Sequence, residues 1–392
     1  MANSILSATQ VTREALRVLH QKLNFVGSIV RDYDDSFARK GGKIGDTLKV
    51  RLPNEYVVRT GAALATQDTN EQSVDFKIQT QKGVDLNFTS ADLTLSLDDF
   101  SERVLEPAMS VLAAHIEADA MSMYKDVWQQ VDNQGQKADF GKILQARKKL
   151  VDALAPLPDR TCNLNTQDNV DLVDALKGLF NPQEGVSKQY REGYMGRTAG
   201  FDFVENTLWP SHTRGDAAGY VCNTATGIAS GSNTVTLSAG TGTIKQGDVF
   251  TIAGVFRVHP ETKASTGQLQ QFVATADGTT SVTVAPTPIT SGARQNVSIA
   301  SPGASKAVSV SGVSGVAHGV SLAYQKGAFA FGTADLVMPQ GVDFAAREVF
   351  DGISMRIVRQ YDINQDRLPT RVDVLYGYKT LRPQLACRLA NN

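Results

Sequence analysis

The sequence of 392 residues lacks a charge imbalance, because 39 lysines and arginines are matched by 40 aspartates and glutamates. Proteins whose main task is to grip a nucleic-acid backbone usually carry a marked basic excess, so that class is disfavoured, although a local basic face stays open. No apolar run approaches the roughly 20 residues of a membrane span. Met1–Gln10 is polar and has no apolar signal-peptide core, so we expect synthesis and assembly in a cytoplasm.

Cysteine and histidine are scarce and scattered. The three cysteines form no CxxC motif, which favours free, buried thiols in a reducing compartment. The five histidines lie outside ligand or triad spacing. His115, Glu117 and Asp119 form the one cluster on a predicted helix, where a partner-facing surface is favoured over a metal or acid–base site. Nucleophile-elbow, Rossmann and kinase motifs are absent, so the sequence disfavours an enzyme and predicts no cofactor.

Three short segments have a functional interpretation that their residue patterns do not favour. Ala239–Gly247 is rich in glycine but lacks Gly-Lys-Ser/Thr and a following helix, so we expect a hairpin turn rather than a phosphate site. Asp32–Asp35 lacks the glycine and distal glutamate of an EF-hand loop, which favours a solvated or partner-facing acidic patch. For Arg147–Lys149, on a predicted helix, a solvated helix face and a contact with nucleic acid both stay open.

A block from about Ala217 to Ala317 is rich in Gly, Ser, Thr, Val and Ala and poor in charge. Alternating apolar residues separated by glycine-containing turns predict short β-strands, as in a small barrel or sandwich. The predicted strands are Thr234–Leu237, Asp248–Val255, Gln271–Ala274 and Ser281–Val284. Sequence of ordinary globular composition flanks the block on both sides. This arrangement predicts that the block is a domain inserted into another domain.

The flanking sequence predicts an amphipathic arm helix, a long β-hairpin loop, a long helix and a terminal strand pair. The loop turns at Lys82-Gly83, and arms and loops of this length are expected to need neighbouring subunits to cover their apolar faces. The predicted helices are Thr9–Leu23, Asp98–Val131, Gly141–Leu154 and Asn169–Leu179, and the strands are Gly45–Leu52, Val74–Ile78, Val84–Phe88, Ser321–Phe331, Asp335–Met338, Ile353–Arg359 and Arg371–Tyr376.

The order of these elements resembles the major capsid proteins of tailed bacteriophages, which have the Hong Kong 97-type α+β fold. More narrowly, it is similar to the coat proteins of short-tailed phages that carry an inserted small β-barrel domain. Three local segments support the likeness: Ala199-Gly200-Phe201-Asp202 leading to Leu208-Trp209-Pro210, Asn233–Val255, and Ser354–Leu389.

The resemblance implies a division of the chain into capsid domains. These are an N-terminal arm at 1–40, an extended β-loop at 41–90, a peripheral domain with a spine helix at 91–150, an axial domain at 151–216 and 318–350, the β-rich insertion domain at 217–317, and terminal strands at 351–392. It also implies that the loop, about Pro53–Ser73, lies over a neighbouring subunit. As inter-subunit contacts we single out Arg59, Glu71, Asp32, Asp34 and Asp35.

The resemblance further implies a major capsid protein of the virion that self-assembles as hexamers and pentamers into an icosahedral shell around double-stranded DNA. The implied partners are a separate scaffolding protein, a portal protein and, as an option, a decoration protein, with no membrane. Pro53–Ser73 contains no lysine, so the covalent crosslink of some relatives is not expected. Two alternatives stay open: a receptor- or carbohydrate-binding virion module, and a cellular encapsulating shell of the same fold.

Overall fold

The structure is a computed structural model. It describes residues 8–31, 47–64, 66–68, 71–89, 106–176, 197–300, 302–350, 352–363 and 367–391. The helices are α1 Ala8–Lys22, α2 Phe25–Ser28, α3 Glu106–Met121, α4 Phe140–Asp152 and α5 Thr166–Leu176, with short 3-10 helices at Ser122–Asp126, Lys326–Ala328 and Pro383–Leu385. Within these ranges no helix is both long and apolar enough to cross a membrane.

The described strands range in length from two to 14 residues. They are β1 Thr47–Leu52, β2 Gln72–Lys77, β3 Thr80–Thr89, β4 Gln130–Asp132, β5 Arg160–Leu164, β6 Arg197–Thr198, β7 Phe201–Glu205, β8 His212–Thr213, β9 Val221–Cys222, β10 Thr234–Thr236, β11 Val249–Val258, β12 Ser265–Ala274, β13 Ser281–Ala285, β14 Val297–Ile299, β15 Lys306–Val310, β16 Ala317–Gln325, β17 Phe329–Ala334, β18 Phe344–Phe350, β19 Ile353–Arg359, β20 Arg367–Thr380 and β21 Ala386–Asn391.

The chain forms two compact units. The first comprises Met1–Arg51, Ser73–Met121 and Phe329–Leu381, and the second comprises Leu52–Gln72, Ser122–Ala328 and Arg382–Asn392. The predicted axial segment 318–350 and terminal segment 351–392 therefore each contribute to both units. Segments distant in sequence meet because their strands pair, which local patterns do not reveal.

The first unit is built on an antiparallel sheet with the order β17-β20-β19-β18, in which β3 also pairs with β20. The predicted pairing of the terminal strands is confirmed, with Arg356 opposite Asp373. The predicted strand Asp335–Met338 is wrong, since β17 ends at Ala334. A cluster of buried apolar residues around Phe76, Ile78 and Leu375 packs on this sheet.

The predicted turn at Lys82-Gly83 is wrong, because both residues lie inside β3. The chain turns earlier, between β2 and β3, and β3 then pairs with β20 over its whole length. Gly83 lies opposite Asp373, and a Cβ atom there would come closer than 3.0 Å to the Val372 carbonyl oxygen. The glycine therefore serves a close approach of two strands rather than a turn.

The arm helix packs within its own unit, against α3 and β18. Its apolar stripe, which includes Leu16 and Leu19, is fully buried, and so are Phe25 and Val26 of α2. The expectation that a neighbouring subunit must cover the arm is therefore wrong for its described part. The apolar periodicity that predicts the helix marks a face buried on α3.

The long helix is shorter than predicted. In the described part of the chain α3 covers Glu106–Met121, and a 3-10 turn follows it. Val127 and Val131 are buried but lie outside the helix, and Val131 belongs to β4, which pairs in parallel with β21. Long-range strand pairing overrides local helical periodicity here. Residues 98–105 lie outside the described residues.

The second unit contains a mixed sheet with the order β4-β21-β16-β5-β7-β6, and β8 also pairs with β16. The pairs β4–β21 and β5–β7 are parallel. Helix α4 packs against β21 and β16. The last strand, β21, has no counterpart among the predicted strands, although it is completely buried and lies between β4 and β16.

The inserted block forms a separate seven-stranded sheet with the order β10-β13-β12-β11-β15-β9, to which β14 adds on β11. A bridge between Val221 and Ser238 connects its two ends, so the sheet is nearly a closed barrel. The four predicted strands are confirmed with shifted ends. Alternate side chains such as Val235, Phe250 and Phe272 fill an apolar core of its own.

Candidate assembly surfaces

The segment 52–72 between β1 and β2, here called the extended loop, is exposed in all its described residues from Glu55 onward. Three of its large apolar side chains, those of Tyr56, Val58 and Leu64, are 56%, 90% and 84% exposed. Apolar side chains grouped on one exposed segment mark a contact surface more often than apolar residues scattered singly.

Side chains of the extended loop hold it closed. The backbone N–H of Val57 donates to Oε1 of Gln67 at 2.9 Å, and Nε2 of Gln67 donates to the Val57 carbonyl at 2.5 Å. Nη1 of Arg59 donates to the carbonyl oxygens of Gly61 and Ala63, the latter at 3.0 Å. Gly61 has a φ of +99°, a backbone conformation that favours glycine.

The extended loop is attached to the insertion barrel of the same unit. Nζ of Lys263 lies 3.3 Å from Oε2 of Glu55, and the Lys263 side chain is only 16% exposed. Lys263 lies in the turn between β11 and β12. An ion pair with one partly exposed partner contributes at most about 1 kcal/mol, so it orients the loop more than it stabilises the fold.

The insertion barrel is joined to the mixed sheet by polar side chains. The Gln130 backbone N–H donates to Oε1 of Gln271, and Nε2 of Gln271 donates to the Gln130 carbonyl, both at 3.0 Å. Nζ of Lys149 adds a bond of 2.8 Å to the same Oε1. Oγ of Ser311 donates to Oδ2 of Asp132 at 2.8 Å. Lys149 therefore contacts the barrel rather than only solvent or nucleic acid.

A buried cluster of ionisable groups lies in the same unit. Nε2 of His212 lies 3.0 Å from Oδ1 of Asp248, and Nδ1 lies 3.1 Å from the Tyr124 hydroxyl. The His318 ring is 5.4 Å from that of His212, and Arg388 stacks over Tyr124. Burial first, then the nearby His212 and Arg388, lowers the pKa of His318 to about 4, so it is neutral at pH 7.

This cluster has the hydrogen-bond pattern of an acid–base relay, but its side chains are enclosed. His212 and Asp248 are 6% and 1% exposed as side chains, so no substrate reaches them. Within the described residues no group of three His, Cys, Asp or Glu side chains could hold a metal ion. The geometry is that of an enclosed polar core, in which Nδ1 of His318 and two nitrogens of Arg388 have no hydrogen-bond partner.

In the predicted cluster Glu117 lies on a different face of α3 from His115 and Asp119, which are four residues apart. His115 is exposed, Asp119 pairs with Lys82 at 2.6 Å, and Glu117 is buried. The Glu117 carboxylate accepts hydrogen bonds from the backbone N–H groups of Phe25 at 2.8 Å and Val26 at 3.3 Å. It thus holds the beginning of α2 on α3.

Comparison with known families decides what these surfaces belong to. The model of the family described as "P22 coat protein - gene protein 5" matches residues 44–388, which is most of the chain. The chain belongs to the P22 coat protein family. It is the major coat protein of a tailed phage, a structural subunit of the icosahedral capsid in the virion, and it is not an enzyme.

Solved structures are similar to this coat protein at low sequence identity. A chain from Mycobacterium phage Che8 is 13% identical, with 94% of this chain and 90% of that chain covered and a TM-score of 0.49. A chain from the capsid of cyanophage P-SCSP1u is 11% identical, with 89% and 84% covered and a TM-score of 0.43. No curated protein sequence matches the chain.

Of the five contact residues predicted from the sequence, the structure describes two. Arg59 and Glu71 are exposed on the extended loop, and the Arg59 guanidinium donates to carbonyls of that same loop. Asp32, Asp34 and Asp35 lie outside the described residues. Their roles as inter-subunit contacts stay predictions.

Sequence reasoning missed the residues that shape the coat protein's extended loop and hold its barrel. Gln67 and Gln271 act through side-chain bonds to backbone groups 10 and 141 residues away, and no local pattern signals such a bond. Glu117 did carry a signal. It lies one residue after Ile116 and three before Ala120, inside the apolar stripe of α3, where a charged residue must find buried partners.

Proposed function

We propose that the extended loop docks on a second copy of the coat protein within hexamers and pentamers of the shell. The observation that supports this most directly is the exposure of Tyr56, Val58 and Leu64 on a segment already closed by its own hydrogen bonds. An obligate shell contact covers such side chains, since permanent interfaces are large and apolar.

We further infer that the insertion barrel steadies the second unit and adds contacts between subunits. Its support is the polar connection through Gln130, Gln271 and Lys149, together with a complete apolar core of its own. The division into peripheral and axial roles, with the spine helix bracing the peripheral domain, belongs to the same proposal.

The remaining partners are a separate scaffolding protein, a portal protein, a decoration protein and double-stranded DNA on the inner face. This part of the proposal rests on the family resemblance. A net charge of −1 limits repulsion among many packed copies. Glu71, Asp32, Asp34 and Asp35 are proposed as contacts between copies, and Arg59 as a residue of the loop surface.

Deletion of Asn54–Gln72 tests the docking of the extended loop. The full-length chain and the deletion variant are each expressed, alone and with the neighbouring genes, and the high-molecular-weight fraction is imaged by electron microscopy. We expect closed shells or curved sheets from the full-length chain, and folded subunits without stable shells from the variant. Normal shells from the variant would contradict the proposed role.

A further inference from the structure

We propose that Gln67 and Arg59 are positioning residues that shape the extended loop in the unassembled subunit, so that Tyr56, Val58 and Leu64 are presented as one apolar face to a second copy of this chain. The inference rests on the proposed docking of the loop and names the residues that prepare it. It gives Arg59 a role inside its own subunit.

Gln67 replaces a missing strand partner. Its side-chain amide pairs with both the N–H and the carbonyl of Val57, at 2.9 and 2.5 Å, which is the bonding that a neighbouring strand would supply. The two residues are 10 positions apart, so the pair closes the base of the loop tip. Tyr56 and Val58 flank Val57, and their side chains are 56% and 90% exposed, so this pair fixes the backbone between two exposed apolar side chains.

Arg59 holds the tip itself. Its guanidinium donates to the carbonyl oxygens of Gly61 and Ala63, across a turn in which Gly61 has a left-handed backbone conformation. Leu64 directly follows this turn and is 84% exposed. The ion pair between Glu55 and Lys263 fixes the other end of the same segment to the insertion barrel.

These bonds suit a loop that becomes buried. Backbone groups that lose water in an interface need partners, and an irregular loop lacks the ladder bonds that supply them. Gln67 and Arg59 supply partners for Val57, Gly61 and Ala63 before any neighbour arrives. A loop ordered in advance also loses less conformational freedom on docking, which favours association.

The occupant we commit to is a second copy of the coat protein. A coat subunit meets many copies of itself in the shell, and the apolar face lies on a segment whose described residues are exposed from Glu55 onward. Val58 and Leu64 are 90% and 84% exposed, and apolar side chains grouped on one exposed segment mark an interaction surface.

The test uses the full chain and three variants: Gln67→Ala, Arg59→Ala, and Val58→Ser combined with Leu64→Ser. The matched control is Gln268→Ala, an exposed glutamine of the barrel strand β12. Amide hydrogen exchange of Val57 is measured in unassembled subunits, and the assembly rate is measured by light scattering. The serine variant changes only exposed side chains, so its subunits fold, which circular dichroism verifies.

We expect Gln67→Ala to speed Val57 exchange by about three- to tenfold, the factor that one hydrogen bond of ordinary net strength supplies. Assembly of Gln67→Ala and Arg59→Ala should slow by a similar factor, and the control should match the wild type in both measurements. The serine variant should keep wild-type exchange and assemble poorly.

The outcomes separate the two levels of the proposal. Normal assembly of the serine variant would overturn the docking of this face, and with it the proposed function of the loop. Poor assembly of the serine variant with normal assembly of both Gln67→Ala and Arg59→Ala would overturn only the positioning role. Unchanged amide exchange of Val57 in Gln67→Ala would also overturn the positioning role.

Discussion

Replacing Glu117 by glutamine should remove a pH-dependent weakness from the N-terminal arm of this coat protein. Glu117 on α3 is 1% exposed and accepts two backbone N–H bonds from the beginning of α2. Burial raises the pKa of its carboxyl from 4.5 to about 7, against the opposing effect of the bonds from Phe25 and Val26. Desolvation therefore outweighs hydrogen bonding, and the charged form is disfavoured in the folded protein.

The raised pKa of Glu117 makes the free energy of unfolding depend on pH. Because the folded pKa is raised, the stability that the neutral carboxyl contributes is present below about pH 4.5 and is lost as pH rises through about 7. At about 1.4 kcal/mol per pH unit, the wild type loses roughly 2.5 kcal/mol from this group between about pH 5 and pH 8. The glutamine side chain of the variant has no proton to lose and keeps one acceptor oxygen for α2, so the variant lacks this loss.

The assay is urea unfolding of unassembled wild-type and Glu117→Gln subunits from about pH 5 to pH 8. The difference between the two free energies of unfolding cancels the other titrating groups, including His318, whose lowered pKa costs stability in the opposite direction as pH falls from 6.5 toward 4. Between about pH 5 and pH 8, the free energy of unfolding of the variant should rise relative to that of the wild type by roughly 2.5 kcal/mol. A difference that stays constant within about 0.5 kcal/mol would refute the reasoning.

Two glycine substitutions and one glutamine substitution give further expectations. Gly83→Val should cut soluble yield sharply, because its Cβ would come closer than 3.0 Å to the Val372 carbonyl oxygen, and a wild-type yield would contradict the close strand approach. Gly254→Val should cost about 1–3 kcal/mol of unfolding free energy, since φ is +82° in open space, and unfolding in urea measures it. Gln271→Ala leaves the Gln130 backbone N–H and carbonyl without these partners, so we expect the thermal midpoint to fall and amide exchange of Gln130 to rise, with Gln268→Ala as the unchanged control.

Sequence periodicity predicted those elements in which one side faces a core. The barrel strands were found because alternate residues such as Val235, Phe250 and Phe272 fill a local apolar core. The arm helix was found for the same reason, although its cover proved to be its own chain. Apolar periodicity reports that a face is buried and says nothing of what buries it.

The errors share a cause in long-range pairing. Glycine most often signals a turn, so the sequence predicts one at Gly83, whereas in the structure β20, from the far end of the chain, approaches this glycine closely. Val127 and Val131 continue the helical period of α3, but Val131 lies in β4, which pairs with β21. Partners so distant leave no trace in a local window.

A barrel with its own core explains why its connection to the mixed sheet can be polar. If the barrel depended on that sheet for burial, the contact would carry apolar side chains, as cores do. Instead Gln130, Gln271 and Lys149 meet there, and each bond contributes only about 1 kcal/mol net. Such a connection orients the barrel on the mixed sheet without deciding whether the barrel or the sheet folds. It follows that Gln271→Ala should weaken the attachment of the barrel more than the barrel itself, so amide exchange should rise at Gln130 while the core strand residue Phe250 stays protected.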